Sequence, residues 1–169
     1  MGKLIILRGP SASGKSSVAD QLKQCARSNI VDNDHNFYRV NLLDKVDLAI
    51  RPNLAQDMMI NDTLIALNQD CDVILHSIFA TAKSMRNFPR LFAAHPRDNF
   101  IFTLLASYDE TVRRHAARKK SAEFGSENLE EWYSPHTATS YKFEEMIPED
   151  SSLADTVARI IAVTGIPTA

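Results

Sequence analysis

The chain has 169 residues, 44% hydrophobic and 24% charged, with 19 Lys+Arg against 21 Asp+Glu and a formal net charge of -2. A chain of this size buries roughly two-thirds of the surface its unfolded form exposes, and its composition excludes disordered, collagen-like and coiled-coil classes. The balanced charge argues against a long nucleic acid as partner, and no run approaches ~18 apolar residues, so no membrane span is expected.

The predicted elements alternate in chain order. Lys3 to Leu7 is a continuous apolar run, as in a strand buried on both faces. It is too short for a signal peptide and Arg8 interrupts it, so a cytoplasmic protein is the expectation. Val18, Leu22 and Cys25 follow at i, i+4 and i+7, the spacing of a helix. A short β-like pair, Ile30 and Val31, precedes a helix opening over Asn36 to Leu43. Leu54, Met58 and Ile65 mark a helix over about 53–69. Val73 to Leu75 reads as a strand, 81–94 as a helix ending before Pro96, and Phe100 to Leu105 as a strand. A helix begins near Tyr108, and the last runs from about Leu153, capped by Ser151 or Ser152 and closed by Gly165. Strands alternating with helices imply a parallel sheet with crossover helices. The polar stretch 121–145, with Gly125 and Pro135, breaks this rhythm as an excursion over the sheet. Cys25 and Cys71 form no CxxC pair, so two buried, reduced thiols are expected rather than a zinc site.

Gly9-Pro10-Ser11-Ala12-Ser13-Gly14-Lys15-Ser16 fits G-x-x-x-x-G-K-[ST] at every fixed position, between a strand and a helix. Glycines let the backbone turn its N–H groups around a phosphate, and the helix N-terminus adds partial positive charge. Gly9, Ser11, Ala12, Ser13, Gly14, Lys15, Ser16 and Ser17 are therefore the expected nucleotide-binding residues. Lys15 is placed on the β- and γ-phosphates and Ser16 on Mg²⁺. The chain has no [NT]-K-x-D motif for guanine, and too few residues for a transporter or a motor ATPase. Small kinases remain.

A kinase needs a group to orient or deprotonate the acceptor hydroxyl and cations for the transferring phosphoryl. Ile30-Val31-Asp32-Asn33-Asp34 puts carboxylates at a strand end, where ligands bind in such sheets. Asp34 is the expected base, with Asp32 as competitor; turn and N-cap roles are the plain alternative. Arg114 and Arg118 lie at i, i+4 within a basic run, Arg113 to Lys120, and share one helix face. Their forks suit phosphate oxygens, which makes this segment the expected lid; a solvated charged face is the alternative.

These segments together resemble the small P-loop kinases of the zeta-toxin and chloramphenicol-phosphotransferase group. The likeness rests on Gly9 to Ser17, on Val31-Asp32-Asn33-Asp34, and on Glu110 through Arg118 with Glu123-Phe124-Gly125 and Trp132-Tyr133. The resemblance implies ATP as donor, Asp34 as base, and Arg114 and Arg118 on ATP phosphates. One departure is that no acidic residue ends the Val73–Leu75 strand, where His76-Ser77 stand instead. Mg²⁺ would then rest on Ser16, phosphates, water and Asp34.

The expected fold is α/β, a three-layer P-loop NTPase fold with about five parallel strands flanked by helices. Residues 1–169 would form one kinase domain with lid and excursion about 113–145. The expected function is transfer of the ATP γ-phosphoryl group, with Mg²⁺, to a hydroxyl of a small-molecule acceptor. Asp34, Arg39, Arg51 and His76 are the expected acceptor contacts, and Trp132 and Tyr133 either stack on it or pack the lid. A regulatory ATP-binding module or an NTP hydrolase is the competing reading.

Overall fold

The computed structural model of the chain describes residues 2–25, 28–43, 45–117 and 126–167. β1 (Leu4–Arg8) leads through the glycine-rich loop into α1 (Lys15–Cys25). Then come β2 (Ser28–Asp32), α2 (Asn33–Asn41), α3 (Arg51–Leu67), β3 (Asp72–His76), α4 (Phe88–Ala94) and β4 (Asn99–Leu104). α5 (Tyr108–Ala116), α6 (Ser126–Trp132), β5 (Glu144–Ile147) and α7 (Leu153–Thr164) complete the order. All strand pairs are parallel, in the order β2-β3-β1-β4-β5.

The central strand explains the layers. Ile5 and Leu7 join Val18, Ala19 and Leu22 of α1 and Val157 and Ile160 of α7 on one face. Leu4 and Ile6 join Met59 and Ile60 of α3 and Phe88 and Leu91 of α4 on the other. A strand covered on both faces is apolar at every position, which is why Lys3 to Leu7 lacks alternation. Each such Leu or Ile contributes on the order of 2 kcal/mol by leaving water.

α7 is capped as expected by Ser152, whose Oγ accepts the Asp155 N–H at 3.1 Å, and closes on Gly165 at φ 59°. Ser107 caps α5 in the same way. Three expectations need correction. The helix expected over 81–94 is only Phe88–Ala94, because Pro89 lacks an N–H and fits the first turn of a helix, not its middle. The excursion over 121–145 contains α6 and runs into β5, whose Glu-Glu-Met-Ile sequence has no strand-like pattern of its own. Cys71 is half-buried rather than buried, and the Cys25 side chain lies outside the described residues. No helix among the described residues is long and apolar enough to cross a membrane.

Candidate active site

The loop between β1 and α1 is held by close backbone contact. Gly9 has φ 150°, and a Cβ there would lie 2.4 Å from the Leu104 carbonyl oxygen and 2.8 Å from Ser13 Oγ. Gly14 turns at φ 101°, and Ala12 takes the left-handed conformation at φ 60°. The chain then enters α1, where the Val18 N–H donates to the Gly14 carbonyl at 3.0 Å. The first turn of such a helix has N–H groups with no partner inside the helix, a ready anion site.

Lys15 lies in this cradle at 8% exposure. Its Nζ donates to the carbonyl oxygens of Gly9 at 2.9 Å and Pro10 at 2.7 Å, and lies 3.3 Å from Ser13 Oγ. The ammonium is thus held against the loop itself, within reach of any phosphate the loop takes. Ser16 and Ser17 are exposed. Among the described residues no group of three or more His, Cys, Asp or Glu is gathered for a metal. The exposed Ser16 hydroxyl is a single oxygen donor of the kind Mg²⁺ takes, an ion that usually keeps several waters.

The sheet register brings the other strand end to the same edge. Leu7 pairs with His76, and His76 with Asp32. Gly9 and Asp34 each follow this row by two residues, on strands about 10 Å apart with β3 between them. Asp34 stands in the first turn of α2, and its side chain, like that of Asp32, lies outside the described residues. His76 is 5% exposed, at the end of β3. Asp72 is at the far end of that strand, where it accepts the Lys3 N–H at 2.7 Å.

Arg114 is brought directly against the loop. Its Nη1 donates to the Ser13 carbonyl at 3.1 Å, its Nη2 to the Glu149 carbonyl at 2.7 Å, and its Nε to Glu110 at 2.5 Å. Arg113 and Arg114 hold the Glu110 carboxyl down to about 2, through their hydrogen bonds first. Beside this arginine a cleft of about 300 Å³ runs past Ser13, Gly14, Ser17, Leu153 and Thr156. His115 is buried. Arg118 lies outside the described residues, as does the Trp132 side chain. Tyr133 packs edge-on to Tyr108 at 5.4 Å and donates its hydroxyl to the Ala106 carbonyl, so it fastens α6 to α5.

Arg39 and Arg51, two of the expected acceptor contacts, hold hydrogen bonds within the protein. Arg39 donates to Asn36 and to Asp62 of α3, both at 2.9 Å. Arg51 donates to the Val46 carbonyl at 3.1 Å and to Asn41 at 3.3 Å. Both guanidinium groups join α2, its following turn and α3.

Several residues of the site's surroundings were not singled out for a role by the sequence. Arg8, 1% exposed, donates to the Phe79 and Thr137 carbonyls and pairs with Glu144 at 2.7 Å. Thr103 and Thr139 also donate to Glu144. Burial would raise this carboxyl, but those hydrogen bonds outweigh it and hold it below its ordinary value. His136 lies between two carbonyl oxygens next to the loop. The available signal was a cation at the end of a buried strand, which demands a counter-charge.

The fold is shared with solved kinases and resistance proteins. A sugar kinase from Janibacter sp. HTCC2649 superposes with a TM-score of 0.75 at 10% identity, covering 98% of this chain and 96% of that one. The Mycobacterium tuberculosis APS kinase CysC, in complex with AMPPNP and APS, superposes at 0.69 with 18% identity and 96% coverage of each chain. The Deinococcus radiodurans tunicamycin resistance protein gives 0.71 at 15% identity, covering 100% of this chain and 99% of that one. No curated protein matches the sequence. The family model described as an AAA domain matches residues 4–137, most of the phosphate-loop sheet, and the chain belongs to that family.

Proposed function

We propose that the protein is a P-loop kinase of the broad zeta-toxin and chloramphenicol-phosphotransferase type, moving the γ-phosphoryl group of ATP to a hydroxyl of a small molecule. The observation that carries this reading is the shared sheet edge: a phosphate cradle with Lys15 at one strand end, and Asp34 two strands away. That separation sets the loop and the first turn of α2 on either side of the place proposed for the acceptor. The solved relatives with kinase names, one of them holding AMPPNP, support the choice of donor and reaction.

In this reading the loop amides and Lys15 bind the β- and γ-phosphates and withdraw charge from the leaving oxygen. Lys15 exchanges its loop carbonyls for phosphate oxygens. The nucleoside end occupies the cleft beside Arg114, between Gly14 and Leu153. Asp34 orients the acceptor hydroxyl and receives its proton. Mg²⁺, when bound at Ser16, neutralises phosphate charge. The basic segment from Arg114 to Arg118 closes the site against water.

A phosphoryl-transfer screen tests this. Protein, Mg²⁺ and γ-labelled ATP are offered nucleosides, nucleotides, aminoglycosides, chloramphenicol-like compounds and nucleotide sugars, with Asp34→Asn as control. Label on one acceptor class, lost in the variant, is expected. Label released only as free phosphate, equally from both proteins, would instead indicate a hydrolase.

A further inference from the structure

His136 has an arrangement that one protonation state alone satisfies. Its Nε2 lies 2.6 Å from the Ile78 carbonyl oxygen and its Nδ1 2.8 Å from the Ser134 carbonyl oxygen. A carbonyl only accepts, so both ring nitrogens must donate, and only the imidazolium carries two N–H groups. A neutral ring keeps one bond and sets a lone pair against the other oxygen. The Ile78 carbonyl also accepts the N–H of Gly9, the first glycine of the phosphate loop, at 3.3 Å. The ring therefore ties the segment before β5 to the β3 exit at the point where the loop begins.

The surroundings of the ring oppose that charge. His136 is 9% exposed. Burial pushes its proton affinity down, the two carbonyls pull it up, and Arg8 and Lys15 push it down again. Arg8 comes from β1 and Lys15 from α1; the Glu144 carboxylate of β5 is engaged with Arg8. The β3 exit and the ring's own segment supply the two carbonyls, which do not titrate.

We propose that His136 is a positioning residue that takes up a proton when a polyphosphate occupies the loop, so that the ring donates to the Ser134 and Ile78 carbonyls together and sets segment 134–141 against the β3 exit beside Gly9. Phosphate oxygens on Lys15 cancel one of the cations that oppose the imidazolium. The proton comes from bulk solvent and stays on the ring, and no bond to the phosphate forms. By linkage, nucleotide affinity falls as pH rises through the ring's titration in the complex, by at most about tenfold per pH unit for one coupled proton. The inference rests on the reading of the loop as a nucleotide site.

Calorimetric titration of the full chain with MgATP near neutral pH, in two buffers of different ionisation enthalpy, counts the protons taken up. Wild type should take up a fraction of one proton more than His136→Gln, whose amide can still donate to Ile78. NMR titration of the His136 ring in wild type, free and with MgATP, gives the same answer without a variant: its pKa should rise on binding. Binding with equal proton counts in both proteins, or with an unmoved ring pKa, overturns this proposal and leaves the kinase reading standing. Failure of wild type to bind MgATP overturns both.

Discussion

Arg8 and Glu144 meet at 2.7 Å with both side chains 2% exposed, joining the end of the central strand to the start of the edge strand. Thr103 of the intervening strand β4 donates to the same carboxylate. The pair therefore fixes the sheet edge at which the phosphate loop begins.

Removing one partner leaves a buried charge uncompensated. Glu144→Ala should lose about 3–5 kcal/mol of unfolding free energy, read from urea denaturation. Arg8→Met combined with Glu144→Leu should recover part of that loss, because the pair's desolvation cost disappears while the Phe79 and Thr137 carbonyls and the Thr103 and Thr139 donors lose their partners. A double variant as unstable as Glu144→Ala would mean that the ion pair itself is not the source.

Stability should depend on pH in two stages. The native fold holds the His95 imidazole below its ordinary value, through burial first, so the unfolded chain binds its proton more readily. That contribution is complete above about pH 6.5 and declines as pH falls below it. Glu144, held below its ordinary value, contributes above the unfolded carboxylate pKa and loses that contribution as pH falls through its native value. Thermal melts from pH 8 to 3 should show the first decline, and His95→Leu should reduce it, the remainder belonging to His136, whose imidazole burial also holds down. An unchanged upper limb in that variant would remove His95 from the account.

Gly9→Ala tests the close approach at the loop. The added Cβ meets the Leu104 carbonyl at 2.4 Å and the backbone keeps a positive φ. The expected cost is about 1–3 kcal/mol, with weaker nucleotide binding because the strand end must shift. A variant with wild-type melting and affinity would contradict the geometry.

Lys15→Ala and Asp34→Asn should separate binding from chemistry. Loss of the Lys15 ammonium should weaken nucleotide binding and lower transfer by at least about 10²-fold. Asp34→Asn should lower turnover by about 10²–10⁴-fold while nucleotide affinity stays near wild type. Equal turnover in Asp34→Asn would return the role to Asp32 or remove the base altogether. Steady-state kinetics with the acceptor found in the screen, alongside calorimetry, gives both readings.

The phosphate loop was legible because all its information is contiguous: eight residues, a strand before and a helix after. The cap of α7 was legible for the same reason, since a serine and an N–H three residues on make it; the start of α5 was read near Tyr108, and its Ser107 cap came from the structure. β5 was not, because Glu144 and Glu145 look like solvent residues until Arg8, Thr103, Thr139 and Arg159 are set beside them. The roles expected of Arg39 and Arg51 depended on neighbours that only packing supplies.

The sequence by itself determined a layered α/β chain with a phosphate-binding loop, because apolar periodicity and loop chemistry act over a few neighbouring residues. Only the tertiary structure decided what surrounds the loop. Arg8 meets Glu144 across 136 positions, Arg114 meets Ser13 across 101, and His136 meets Ile78 across 58. Burial selects such pairs, since a charge or ring N–H removed from water must find a partner wherever the fold places one.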